Sequence, residues 1–91
     1  LAAIIVSAAD ANQADMVASR IGRAAPDFDG VSVLGPAPAP LALLRGRHRR
    51  RLLIKTRRDV NIQAVLRGWL GRVEVPSAVR VAVDIDPYSF L

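Results

Sequence analysis

Apolar residues run almost unbroken through positions 1–8 (LAAIIVSA), with β-branched Ile4, Ile5 and Val6 at the centre. Such a run predicts a strand with both sides covered or nearly so. Ala14, Val17, Ala18, Ile21 and Ala25 then recur at helical spacing. They predict a first helix capped by Asp10 or Asn12, with Asp15 in its favourable first turn and Pro26 at its end. In the loop that follows, the turn formers Asp27, Asp29 and Gly30 surround Phe28, which is expected to fold back on the core. Val31, Val33 and Leu34 predict a short second strand stopped by Gly35 and Pro36, and the alternation of Pro36, Pro38 and Pro40 with alanine predicts a stiff extended connector.

A third strand is expected over about residues 47–55, with Arg47, Arg49 and Arg51 on one face and His48, Arg50 and Leu52 on the other. Neither face is purely apolar at the arginine end, so that end is expected to project beyond the core. Ile62, Val65, Leu66, Trp69 and Val73 then give the strongest helical periodicity in the chain. They predict a second helix with Asp59 as its N-cap. Val79, Val81, Val83 and Ile85 alternate with Arg80, Ala82, Asp84 and Asp86, which predicts a half-buried last strand closed by Pro87.

The predicted order is β-α-β-β-α-β. The simplest packing is an α+β two-layer sandwich, ferredoxin-like or ribosomal-protein-like, with a mainly antiparallel four-stranded sheet and both helices on one face. Ninety-one residues support one small domain, and 52% apolar composition suffices for its core. The domain is expected to span residues 1–91. A start at Leu1 in place of Met, inside the first predicted strand, leads us to expect a piece cut from something longer. Phe28, Trp69, Tyr88 and Phe90 are the only aromatic residues, so few rings remain for stacking on bases. Trp69 belongs to the helical apolar stripe and so to the core, whereas Tyr88 and Phe90 follow the last predicted strand in sequence and are expected to pack on a neighbouring domain or simply on the sheet. The absence of cysteine excludes disulfides and thiolate metal sites. The apolar run at residues 1–9 is too short to cross a bilayer and lacks the basic flank of a signal peptide.

Charge is distributed unevenly. Arg45, Arg47, Arg49, Arg50, Arg51, Lys55, Arg57 and Arg58 are eight of thirteen basic residues, and positions 45–58 contain no acid. The rest of the chain carries five bases against eight acids, whereas the whole is +5. The positive field therefore belongs to one segment, and Leu52, Leu53 and Ile54 inside it must be buried, which excludes a disordered basic tail. Arginines gathered in this way attract phosphate and fork onto its oxygens, with steep salt dependence. Because no rings are interleaved with them, contact through backbone and shape is expected, with little base readout. The eight residues are the candidate nucleic-acid contacts; a protein-docking role for the same arginines is the alternative.

No phosphate-binding glycine loop or dinucleotide fingerprint occurs, so no catalytic residue is expected in this chain. His48 has no partner at metal-ligand spacing and is read as a solvated residue. Asp84 and Asp86 share a side of their strand but supply too few oxygens for a metal site, so pairing with nearby arginines is expected.

Residues 35–40 (GPAPAP), 45–55 (RGRHRRRLLIK) and 83–87 (VDIDP), in that order, resemble the C-terminal domain family of the bacterial primosomal replication-restart helicases, PriA or primosomal protein N′. The family fold, a four-stranded sheet with two helices similar to a small ribosomal-subunit protein, agrees with the order derived above. The resemblance implies a role in an ATP-dependent 3′-to-5′ DNA helicase that recognises stalled forks and restarts replication in the bacterial cytoplasm, associated with the nucleoid. ATP, magnesium and zinc would then be held elsewhere in the parent chain, with no cofactor in this domain. Implied partners are branched or single-stranded DNA, the helicase lobes of the same chain, primosome proteins, and the acidic C-terminal tail of single-stranded-DNA-binding protein. For that tail the resemblance points to Gln63, and Arg57, Arg58 or Arg67 is a candidate substitute for a family arginine whose position here is Asp59. His48 and Arg50 stand where the family commonly has aromatics, which implies phosphate contact in place of base stacking.

Overall fold

The computed structural model describes residues 1–27 and 29–85. Its elements are β1 (Ala2–Ala8), α1 (Ala11–Arg23), β2 (Val31–Leu44), β3 (Arg47–Thr56), α2 (Ile62–Leu70) and β4 (Val79–Ile85). The strands form one sheet in the order β2-β3-β1-β4, and every neighbouring pair is antiparallel. The expected two-layer α+β arrangement is therefore present.

Alternation along β1 decides which side of the sheet is the core. Ala2, Ile4, Val6 and Ala8 are fully buried, and across from them in register lie Ile54, Leu52, Arg50 and His48 of β3 and Ile85, Val83, Val81 and Val79 of β4. Both helices pack on this side: Ala14, Val17, Ala18 and Ile21 of α1 and Leu66 and Trp69 of α2 join the same cluster. The Trp69 ring is 1% exposed and its Nε1 donates to the Ile21 carbonyl at 2.9 Å, which fixes the second helix against the first while satisfying the one polar atom of the ring. Among the described residues the other side of the sheet carries no helix.

Three local expectations are corrected. β2 does not stop at Gly35 and Pro36: it continues as the edge strand through all three prolines, pairing Ala37 with Arg51 and Pro38 with Arg50. An edge strand has one side without ladder partners, so a residue without an N–H costs it little. At Gly35, φ is 103°, and a Cβ there would stand 2.7 Å from the Arg51 carbonyl oxygen, so only glycine fits. Asp59 does not cap α2; Asn61 does, accepting from the Ala64 N–H, while Asp59 binds Arg57. Asp10 caps α1 through the Asn12 N–H as expected, but Asp15 lies beyond the first turn and pairs with Arg50.

The arginine end of β3 does not project beyond the core either. His48 to Ile54 pair with β1 throughout, so only the turn Arg45-Gly46 and the pair Leu44–Arg47 extend past β1. That turn has φ of 53° and 76°, both positive, which matches the strand twist of a tight two-residue hairpin. The expectations for Phe28, Asp86, Pro87, Tyr88 and Phe90 lie outside the described residues.

Candidate nucleic-acid interface

Strict alternation along β3 sorts the basic residues. Leu52 and Ile54 are buried under the helices, so Arg47, Arg49, Arg51, Leu53 and Lys55 take the opposite, helix-free face. Alternate residues of an antiparallel strand stand about 6.8 Å apart, so the three arginines form an evenly spaced cationic row. β1 adds Ala3, Ile5 and Ser7 to this face, and β4 adds Arg80, Ala82 and Asp84. Arg49, Ser7 and Arg80 are in register across three strands, which places the Arg49 and Arg80 Cα atoms about 10 Å apart. The face thus runs from a cationic end at Arg47, Arg49 and Arg80, through Arg51 and Ile5, to an apolar patch of Leu34, Leu53 and Ala3, with Lys55 beyond. Asp84, beside Ala3, is its acidic corner.

The row is partly immobilised. Arg47 donates from Nε to Ser7 Oγ at 3.3 Å and from Nη2 to the Ser7 carbonyl at 2.8 Å. Arg49 reaches the edge strand, donating from Nη1 to the carbonyls of Pro40 and Leu41 at 2.7 and 3.2 Å. Each guanidinium keeps further N–H groups for an incoming acceptor. Arg51, Lys55 and Arg80 make no side-chain hydrogen bond or ion pair among the described residues.

The remaining candidates are placed differently. Arg45 is exposed at the hairpin turn and Arg58 is exposed in the turn after β3. Arg50 is on the helix side, paired with Asp15 and donating to the Arg49 carbonyl. Arg57 binds Asp29 at 2.8 Å and Asp59 at 3.1 Å, and these two carboxylates raise its pKa above the ordinary arginine value. Gln63 and Arg67, on the helix that covers the opposite side of the sheet, lie on the rim of a groove of about 420 Å³ between α2 and β4, whose lining is completed by Leu66, Leu70, Val83 and Ile85. No cluster of metal-ligating side chains occurs among the described residues, and no helix among them is long and apolar enough to cross a membrane.

The profile of the family described as Primosomal protein N C-terminal domain matches residues 1–88. The chain belongs to the PriA C-terminal domain family. Proteins named Replication restart protein PriA from Rickettsia felis and Rickettsia prowazekii are each 35% identical to it over 89 residues, covering 98% of this chain and 14% of the relative. The protein of that name from Haemophilus influenzae is 36% identical over 59 residues, 64% of this chain and 8% of its own length. The chain thus spans 14% of the length of the Rickettsia relatives it matches.

Within this PriA C-terminal domain, one member of the cationic face escaped the sequence reading. Arg80 is isolated in sequence from the arginine run and looked like an ordinary polar position of a half-buried strand. Its place between Val79 and Val81 in the alternation does put it opposite the core face, but only the strand order β3-β1-β4 brings it to Arg49.

Proposed function

We propose that this domain contacts DNA through the helix-free face of its sheet, as the C-terminal module of a PriA-type replication restart protein. One observation carries the proposal: Arg47, Arg49, Arg51 and Lys55 of β3 share that uncovered face with Arg80 of β4. Phosphates along a strand or at a branch meet a cationic row spaced by the β pleat, and among the described residues no aromatic ring shares this face to read bases. Arg45 and Arg58 extend the field at its ends, whereas Arg50 and Arg57 already hold carboxylates and add to the field without reaching for DNA. The parent would be an ATP-dependent 3′-to-5′ helicase of the bacterial cytoplasm, acting with primosome proteins at stalled forks. ATP, magnesium and zinc would be bound outside these residues.

Fluorescence anisotropy with labelled single-stranded and forked DNA tests the proposal. Arg47→Ala combined with Arg49→Ala is expected to weaken both complexes at least tenfold; unchanged affinity would refute contact through this face.

The groove between α2 and β4 favours a second role for the same domain. Its apolar floor with Gln63 and Arg67 on the rim suits an acidic, apolar-ended peptide such as the tail of single-stranded-DNA-binding protein. Arg67→Glu is expected to abolish tail-peptide binding and to leave DNA affinity nearly unchanged.

A further inference from the structure

Between the pairs Pro38–Arg50 and Leu43–His48, β3 advances by two residues while β2 advances by five. Residues 39–42 thus stand opposite Arg49 alone and form an arch in the edge strand. Ala39 is buried and anchors the arch, the Arg49 guanidinium holds the carbonyls of Pro40 and Leu41, and Leu41 takes a φ of 54°. A leucine in the left-handed region is strained, and here the surroundings hold it there while leaving its side chain 69% exposed. Leu43 is 60% exposed and Leu44 40%, and the turn closes on a second strained residue, Arg45, with φ of 53°. The edge therefore holds strained backbone to present apolar side chains to solvent beside arginines.

We propose that Leu41, on the arch that Arg49 holds, and Leu44, on the open face across from Arg47, form an apolar wedge for unpaired bases where a duplex opens, and this rests on the sheet face holding the neighbouring phosphates. Residues 31–56 contain no acid, so the occupant is anionic or neutral around an apolar surface. Leu44 lies directly across from Arg47, with about 5 Å between such cross-strand Cβ atoms. An apolar contact one side chain away from a guanidinium matches a nucleotide, whose flat ring lies close to its own phosphate. The prolines blunt the edge against strand addition, so an occupant meets side chains and not a backbone ladder. Short aliphatic wedges gain most where the base is already unstacked, which selects a branch over an intact duplex.

The test uses this chain with a fork carrying 2-aminopurine at its first unpaired position and with a blunt duplex of equal length. The wild type is expected to prefer the fork by about tenfold, the scale of one base contact, and to change the probe's fluorescence. Leu41→Ser with Leu44→Ser should abolish both effects while duplex affinity and its salt slope stay the same. Leu41→Asn is a second variant whose fold is secure, because asparagine tolerates positive φ: thermal stability should rise while fork preference falls. Retained fork preference in both variants overturns the wedge, and if Arg51→Ala with Arg80→Ala still weakens both DNAs, contact through the sheet face survives it. Loss of self-association or of peptide binding, with fork preference intact, would assign the leucines to a protein contact and also overturn it. No DNA binding by the wild type would remove wedge and phosphate face together.

Discussion

Arg50 and Asp15 form an ion pair on the helix-covered side of the sheet, with the Arg50 side chain 16% exposed, whereas the next residue, Arg51, stands on the open side without a partner among the described residues. One residue of β pleat thus separates a structural arginine from one available to a ligand. Arg50→Ala is expected to lower stability by about 1 kcal/mol, the scale of a partly exposed ion pair with some lost packing, and to change DNA affinity less than twofold. Arg51→Ala should do the reverse, weakening DNA and leaving the unfolding midpoint in place. Urea unfolding and anisotropy on the two variants separate these outcomes.

The hairpin turn places Arg45 at a φ of 53°, where asparagine is far better tolerated. Arg45→Asn is expected to raise stability by about 0.5–1 kcal/mol, read by thermal unfolding. If Arg45 touches a phosphate, the same variant loses about one unit of salt slope in DNA binding.

Gly35 carries both a positive φ and a Cβ position 2.7 Å from the Arg51 carbonyl oxygen. Gly35→Ala therefore forces β2 away from β3 just beside Arg51, at a cost of about 2 kcal/mol or more. Amide hydrogen exchange in β2 should accelerate in this variant while α1 stays protected.

Arg57, held by Asp29 and Asp59, joins the loop before β2 to the turn after β3. Its raised pKa means that its contribution is full below the ordinary arginine value and is lost only as pH rises through the still higher folded value. Between about pH 6 and about pH 9 the difference in melting temperature between wild type and Arg57→Ala should therefore not vary through titration of this group. Salt is the effective variable: all three groups are exposed, so the difference should shrink as ionic strength rises.

The element order, the apolar stripes of both helices and the opposite facing of Arg49 and Arg50 were legible because period and alternation are local properties. The buried pair Leu52 and Ile54 already determines which arginines face away from the helices. β2 was not legible past Leu34, since proline argues against a strand unless the strand is an edge, and edge position is a property of the whole sheet. The cap of α2 was misassigned to Asp59 because two good capping residues lie two positions apart; Arg57 engages Asp59 and leaves the cap to Asn61. Arg80 and the groove around Gln63 and Arg67 depend on strand order and helix placement, for which no local pattern exists.

The central claim is tested most directly by the salt slope of DNA affinity for wild type and for Arg51→Ala with Arg80→Ala. Neither arginine has a side-chain partner among the described residues, so the pair can be removed without disturbing the fold. About four phosphate contacts predict a wild-type slope near −3.6 on duplex DNA, or about a 100-fold loss of affinity between about 50 and about 200 mM salt. The double variant should lose about two units of that slope. A wild-type slope near zero, or a slope that the double variant leaves unchanged, would contradict contact through this face.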